Sequence, residues 1–232
     1  GDVYKRQHNP CTRQEYRGYD SAGLAIFDDA NQVQVFKSTG KVAELQNSID
    51  KNPVNGNLGI AHTRWATHGI PTETNAHPHH SNNNVFVIHN GIIENHQEIR
   101  TTLKALGYVF ESETDTEVIA HLVHAKMSKE GASLVEALQL SVKDLRGAYA
   151  IGVVCETEPG ILAAARKGSP LVVGIGHGEN FIASDQLALA DFAEKFVFLE
   201  EGDLAEITSS GTKFWNLNDE EVERPVVVAK SL

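Results

Sequence analysis

Only two cysteines, Cys11 and Cys155, occur in 232 residues, too few for a disulfide framework. No apolar run approaches the roughly 20 residues of a membrane-spanning helix, and no secretory signal pattern is present. Positive charge is scarce as well. Lysine and arginine number 20 against 31 aspartates and glutamates, a net charge of -11, which argues against nucleic acid or an anionic membrane as the partner. The expected compartment is the cytoplasm. Methionine occurs once, as Met127, so the chain is expected to be processed, trimmed or incomplete at its start. Eleven histidines are present, yet HPHH at 77–80 and the pair His121 and His124 match no zinc or iron spacing; neither a metal nor a cofactor is expected. The glycine-rich 174–180 lacks the Lys-Ser/Thr of a phosphate loop and reads as a turn.

What is there is ordinary hydrophobic periodicity in three blocks. Residues 22–27 and 32–37 flank Asp28-Asp29-Ala30-Asn31, a predicted hairpin, and Val42, Leu45 and Ile49 mark one face of a short helix. Buried strands are predicted at 58–61 and 85–89, with a polar loop rich in histidine, threonine and asparagine between them. Three helices follow. The first carries Ile99, Leu103 and Leu106 on one face and stops at Gly107; the others open on Thr114…Glu117 and Ser133…Glu136, both capping-box patterns. From Ala148 the period returns to strands, with a short helix expected at 186–193. Strands, then helices, then strands in one domain give an α+β class.

Three positions could carry chemistry. Arg64 ends a strand, where it either forms a surface ion pair or grips a carboxylate with both arms of its guanidinium. Asn90-Gly91, between apolar runs, is either a tight hairpin turn or a pair of donors, a side-chain amide and a backbone N–H, aimed at a developing oxyanion. Asp115 suits the start of a helix for dipole reasons alone; in a pocket it would bind an ammonium group. Cys155 reads as a small buried residue.

The segments EYRGYDSAG, IAHTRWATHG, HNGIIENH, SETDTEVIAHL, LRGAYA, GSPLVVG and ENFIASDQLAL occur in that order, from about Glu15 to about Thr208. Together they closely resemble the glutaminase domain of glucosamine-6-phosphate synthases, the glutamine–fructose-6-phosphate aminotransferases. The resemblance implies an N-terminal-nucleophile hydrolase fold, a four-layer αββα sandwich. It implies that Arg64 binds the α-carboxylate of L-glutamine and Asp115 its α-ammonium. Thr67, His68 and His77 would line the same pocket, and Trp65 would lie where ammonia leaves. Asn90 and Gly91 would stabilise the oxyanion, and Arg17 would order the nucleophile. The acceptor would be fructose 6-phosphate, bound by sugar-isomerase domains of the same polypeptide, in a parent expected to be a homo-oligomer.

The family's nucleophile is a cysteine at the first residue of the mature chain, its thiol activated by its own α-amine, much as a threonine is by an N-terminal amine. An apolar first strand carries it to the centre of the sandwich. Here the first residue is Gly1, and ten residues precede Cys11. Cys11 also stands much closer to Arg17 than the family's cysteine stands to its matching arginine, so it is not taken as equivalent. Residues 1–14 are expected to be a non-native segment and 15–232 the glutaminase domain, without its first strand, most of its first helix and the sugar-isomerase domains. On that expectation the chain as written hydrolyses no glutamine. A second expectation, of another class, is a non-catalytic module that senses glutamine or glutamate through Arg64 and Asp115. An amidotransferase with another acceptor fits the wording of the motifs less well.

Overall fold

The computed structural model describes residues 20–40, 42–65 and 69–228; residues 1–14 lie outside them. Strand β1 (Ser21–Phe27) is buried along its whole length and forms a hairpin with β2 (Val33–Thr39). The turn between them is fixed by Asp28, whose Oδ1 accepts from the N–H groups of Ala30 and Gln32, and by Asn31 in the left-handed region. Alternation sorts the side chains of β1: Ala25 and Phe27 face inward, while Ala22, Leu24 and Ile26 face helix α1 (Val42–Lys51) and its Val42, Leu45 and Ile49. Strand β3 (Leu58–Arg64) pairs antiparallel with the other side of β1 and completes a three-stranded sheet ordered β2-β1-β3.

Strands β4 (His79–Ser81) and β5 (Val85–Ile93) follow, then helices α2 (His96–Ala105), α3 (Glu117–Glu130) and α4 (Leu134–Asp144). Strands β6 (Gly147–Cys155) and β7 (Leu162–Lys167) lead into β8 (Val172–Ile175) and β9 (Asn180–Ala183). The chain continues through β10 (Lys195–Phe198), β11 (Leu204–Ile207), β12 (Thr212–Trp215), β13 (Glu221–Val222) and β14 (Val227–Val228). Seven strands make a sheet ordered β13-β12-β11-β7-β6-β5-β4, and a four-stranded sheet runs β14-β10-β8-β9.

The layers follow from strand alternation. On β6, Tyr149, Ile151, Val153 and Cys155 face the helices, and Ala150 and Val154 face the other sheets. Between the sheets lie Phe27, Ile60, Phe86, Val173 and Val197, each side chain contributing about 1.5–3 kcal/mol when fully buried. The order outward is therefore helices α2–α4, seven-stranded sheet, the pair of smaller sheets, and α1. This is an αββα sandwich. Helix α3 is apolar nearly all round its first turns because it is covered by α2, α4 and the sheet at once. No helix among the described residues is long and apolar enough to cross a membrane.

Three local expectations change. The Asn90-Gly91 hairpin does not form: β5 runs straight through both residues, in register with Ala150 and Tyr149. Gly91 has φ +130°, and a Cβ there would sit 2.1 Å from the Ala148 carbonyl oxygen, so glycine serves close approach within a strand. The Thr114…Glu117 capping box is also absent. The Glu117 carboxylate instead accepts from the N–H groups of Glu111 and Ser112 and from the Ser112 hydroxyl, outside the helix it opens. Residues 186–193 form only one turn of tighter helix, Gln186–Leu189. The Ser133…Glu136 box and the Gly107 stop, with φ +92°, are present as expected.

Candidate active site

The ends of β3 and β5 meet across the space between the sheets. Alternation puts His62 and Arg64 on the face of β3 that carries Ile60, and Asn90 on the face of β5 that carries Phe86 and Ile88. His62 Nε2 accordingly lies 2.7 Å from Asn90 Oδ1. A cavity of about 150 Å³ adjoins this pair, bounded by β3, β5, β6 and β9 and lined by Ile60, His62, Asn90, Gly152 and Ile182 among others. Strand β3 ends one of the smaller sheets and β9 ends the other, so the cavity lies between two end strands.

The edge of β5 beyond the short strand β4 carries a row of N–H groups. His89 N–H donates to His77 Nδ1 at 3.3 Å, and Ile93 N–H donates to Asp115 Oδ2 at 2.8 Å. By the alternation of an antiparallel ladder, the Gly91 N–H between them faces the same way, away from β6. A carboxylate and an imidazole thus flank an N–H on an exposed strand end.

Each flanking group is held in turn. His77 follows the ring of His62, stacked at 4.0 Å and 15°, and meets His79 edge-on at 4.9 Å. Its backbone carbonyl lies against Gly23, where a Cβ would come within 1.9 Å, so β1 needs glycine there. Thr116 Oγ1 lies 3.0 Å from His89 Nδ1 and 3.4 Å from His77 Nε2. Asp115 is only 4% exposed, on a strap, 111–116, that Glu117 ties to α3 and that Arg100 grips through the carbonyls of Ser112 and Thr114.

Arg64, also 4% exposed, is a buried cation. Its Nη1 lies 3.7 Å from Asp20 Oδ1, and its Nη2 donates to the Gly69 carbonyl. Asn75 connects that loop to the Asp115 strap by donating to Ile70 and Glu113 and accepting from Glu113 N–H. The surface ion pair expected as one alternative for Arg64 is therefore not what the residue makes; it is buried.

Burial decides the charge of the histidines. It pushes His62 down to about 4, against the opposing hydrogen bond to Asn90, and drives His77 and His79 well below the ordinary range. His89 is lowered by burial too, with Asp115 pulling the other way. At neutral pH the buried histidines are neutral imidazoles, standing beside Arg64 and Asp115. Among the described residues no group of three or more histidine, cysteine, aspartate or glutamate side chains is arranged to hold a metal ion. Cys155 is buried, its thiol pushed up by burial, and faces the helices.

Of the residues expected at a site, the structure brings His77, Asn90, Gly91 and Asp115 along one strand edge, with Arg64 joined to them through Gly69, Asn75 and Glu113. Trp65 is 69% exposed at the end of β3. Arg17, Thr67, His68 and Cys11 lie outside the described residues. The sequence does not mark His62, His89 or Thr116, and it marks Glu117 only as a helix-capping residue. The signal for His62 was available: it shares the parity of Ile60 and Arg64.

Comparison with known proteins supplies the family. A family model described as "Glutamine amidotransferase domain" matches residues 62–191. The chain is 54% identical over 215 residues to a Pseudomonas aeruginosa protein named glutamine–fructose-6-phosphate aminotransferase (isomerizing), covering 93% of this chain and 35% of that protein. It is 55% identical over 212 residues to the Photorhabdus laumondii protein of the same name, covering 91% of this chain and 34% of that one. The chain therefore spans about a third of the length of these curated relatives. Among solved structures, the glutamine phosphoribosylpyrophosphate amidotransferase of B. subtilis superposes with a TM-score of 0.77 at 24% identity, over 92% of this chain and 46% of that chain. The αββα sandwich is that of the N-terminal-nucleophile hydrolases.

Proposed function

This chain belongs to the glutamine amidotransferase domain family, and we propose that it is the glutaminase part of a glutamine–fructose-6-phosphate aminotransferase. The observation that carries the reading is the edge of β5: an exposed N–H at Gly91 and the amide of Asn90, with the buried Asp115 carboxylate one hydrogen-bonding step along. L-glutamine is a zwitterion with a carboxamide at its far end. Arg64 takes the α-carboxylate and Asp115 the α-ammonium, which leaves the carboxamide to reach Asn90 and Gly91. His77 lines the pocket and Trp65 stands where ammonia departs.

In the reaction a cysteine thiol attacks the carboxamide carbon. Its proton passes through the cysteine's own α-amine to the departing nitrogen, the carbon–nitrogen bond breaks, and ammonia leaves. The Gly91 N–H and the Asn90 amide stabilise the oxyanion of the tetrahedral intermediate, a contribution of about 3–4 kcal/mol per donor. Water then hydrolyses the thioester to glutamate. The ammonia goes to sugar-isomerase domains of the same polypeptide in the cytoplasm.

The experiment is glutamate release from glutamine by two chains in parallel. One is the chain as it stands; in the other, residues 1–14 are replaced by a family-like start whose first residue is cysteine. Release only by the cysteine-starting chain supports the reading. Release by the chain as it stands overturns the requirement for a cysteine at the first residue and makes Cys11 the first nucleophile to test. A cysteine-starting chain that folds and binds glutamine but releases nothing moves the non-catalytic sensor ahead.

A further inference from the structure

We propose that His62 is the positioning residue of the Asn90 amide, donating from Nε2 to Oδ1 so that the NH2 group is turned toward the atom that becomes negatively charged. The inference rests on the reading of Asn90 as an oxyanion donor. A carboxamide is nearly symmetric in shape, but its two orientations offer opposite partners, N–H donors in one and lone pairs in the other. An oxyanion is attracted by the first and repelled by the second. The backbone does not choose between them, because Asn90 is an ordinary ladder position opposite Ala150. His62, 2.7 Å away, does.

The direction of this hydrogen bond follows from the surroundings of the ring. Burial keeps the ring neutral, with a single N–H to place. Nδ1 is buried and has no hydrogen-bond partner among the described residues. An orphaned buried N–H is costlier than a bare lone pair, so the proton sits on Nε2. A proton on Nε2 requires an acceptor opposite, which is the Asn90 oxygen. The ring cannot swing aside, since His77 is stacked on it at 4.0 Å. His62 never touches the substrate in this account; it acts through Asn90.

Nitrogen-15 NMR of the histidine rings in the chain as it stands reads the tautomer directly. The expected state of His62 at neutral pH is the Nε2-protonated neutral ring. A ring protonated on Nδ1, or on both nitrogens, overturns the proposal. Kinetics of glutamine hydrolysis by the cysteine-starting chain read the role. His62→Ala is expected to lower kcat roughly tenfold with KM unchanged, the loss of one hydrogen bond. Asn90→Ala is expected to lower kcat about a hundredfold or more. The double variant should be no slower than Asn90→Ala alone, and His62→Gln, which keeps a side-chain N–H donor, should recover most of the loss. Unchanged kcat in His62→Ala, a rise in KM instead, or multiplying effects in the double variant each overturn it. Full kcat in Asn90→Ala would remove the oxyanion reading and the role of His62 together, whereas an intact Asn90 effect without a His62 effect removes only the latter.

Discussion

The two β layers of the sandwich are built from similar residues but differ in completeness. In the seven-stranded sheet, β5, β6, β7 and β11 pair without interruption, and apolar side chains cover both faces. Among the described residues the facing layer is divided into three strands and four, with a cavity of about 150 Å³ between β3 and β9. The groups assigned to chemistry, Asn90 and Gly91, belong to the continuous sheet, and the opening that reaches them belongs to the divided one. A reacting group needs a rigid support and a route of approach, and here separate layers supply them.

The sharpest way to break this comparison is at Gly91. Gly91→Ala puts a Cβ against the Ala148 carbonyl at a φ that suits glycine, so β5 and β6 must part or the strand must rotate. A loss of about 4 kcal/mol in urea unfolding is expected. An unmoved midpoint would mean that β5 does not run through this position. Next comes the contrast between Ile151→Ala, in the fully covered sheet, and Ile182→Ala, at the cavity. The first should cost about 3 kcal/mol and the second about 1, because Ile182 already borders open space. Equal costs would erase the distinction between the layers.

Acid tests the strap that presents Asp115. Burial by itself would raise the Glu117 pKa, but hydrogen bonds from His121, Ser112 and the Glu111 backbone outweigh it and hold the carboxyl down at about 2. A carboxylate lowered in the folded state stabilises above its unfolded pKa and loses that contribution as pH falls toward the folded value. The chain should therefore lose about 2 kcal/mol from this group between its unfolded value of 4.5 and about 2. Glu117→Gln, compared with the parent chain across that range, should show a stability difference that disappears in acid. A difference independent of pH would assign its cost to packing. The smallest effect is expected at Arg146 and Glu98, an exposed pair at 2.7 Å. Arg146→Ala should cost less than about 1 kcal/mol, and less still in high salt.

Much of the fold was legible because burial writes periodicity into the sequence. The short apolar stretches of β1 and β6 specify strands, and the helical spacing of Val42, Leu45 and Ile49 specifies both a helix and the face it buries. Local pattern misled where tertiary contacts took over the same residues. Asn90-Gly91 has the composition of a tight turn, but Ala148 and Tyr149 across the ladder keep it in a strand. Thr114 and Glu117 have capping-box spacing, yet Thr114 Oγ1 lies 3.0 Å from His79 Nε2 and Glu117 holds the preceding strap. At the site, Arg64 and Asp115 were legible from the resemblance, while their burial was not, since it depends on a loop, 69–79, whose polar sequence reads as solvent-exposed. His62 and His89 stood among eleven histidines. Only the packing of β3 across from β5, between the two layers, separates them from the rest.

The central claim is that one end of this site binds and the other reacts. Steady-state hydrolysis of glutamine by the cysteine-starting chain, by its Asp115→Ala variant and by its Asn90→Ala variant tests it most directly. The account predicts that Asp115→Ala chiefly raises KM, while Asn90→Ala lowers kcat by about a hundredfold at nearly constant KM. Both variants moving the same parameter, or neither moving either, would contradict it.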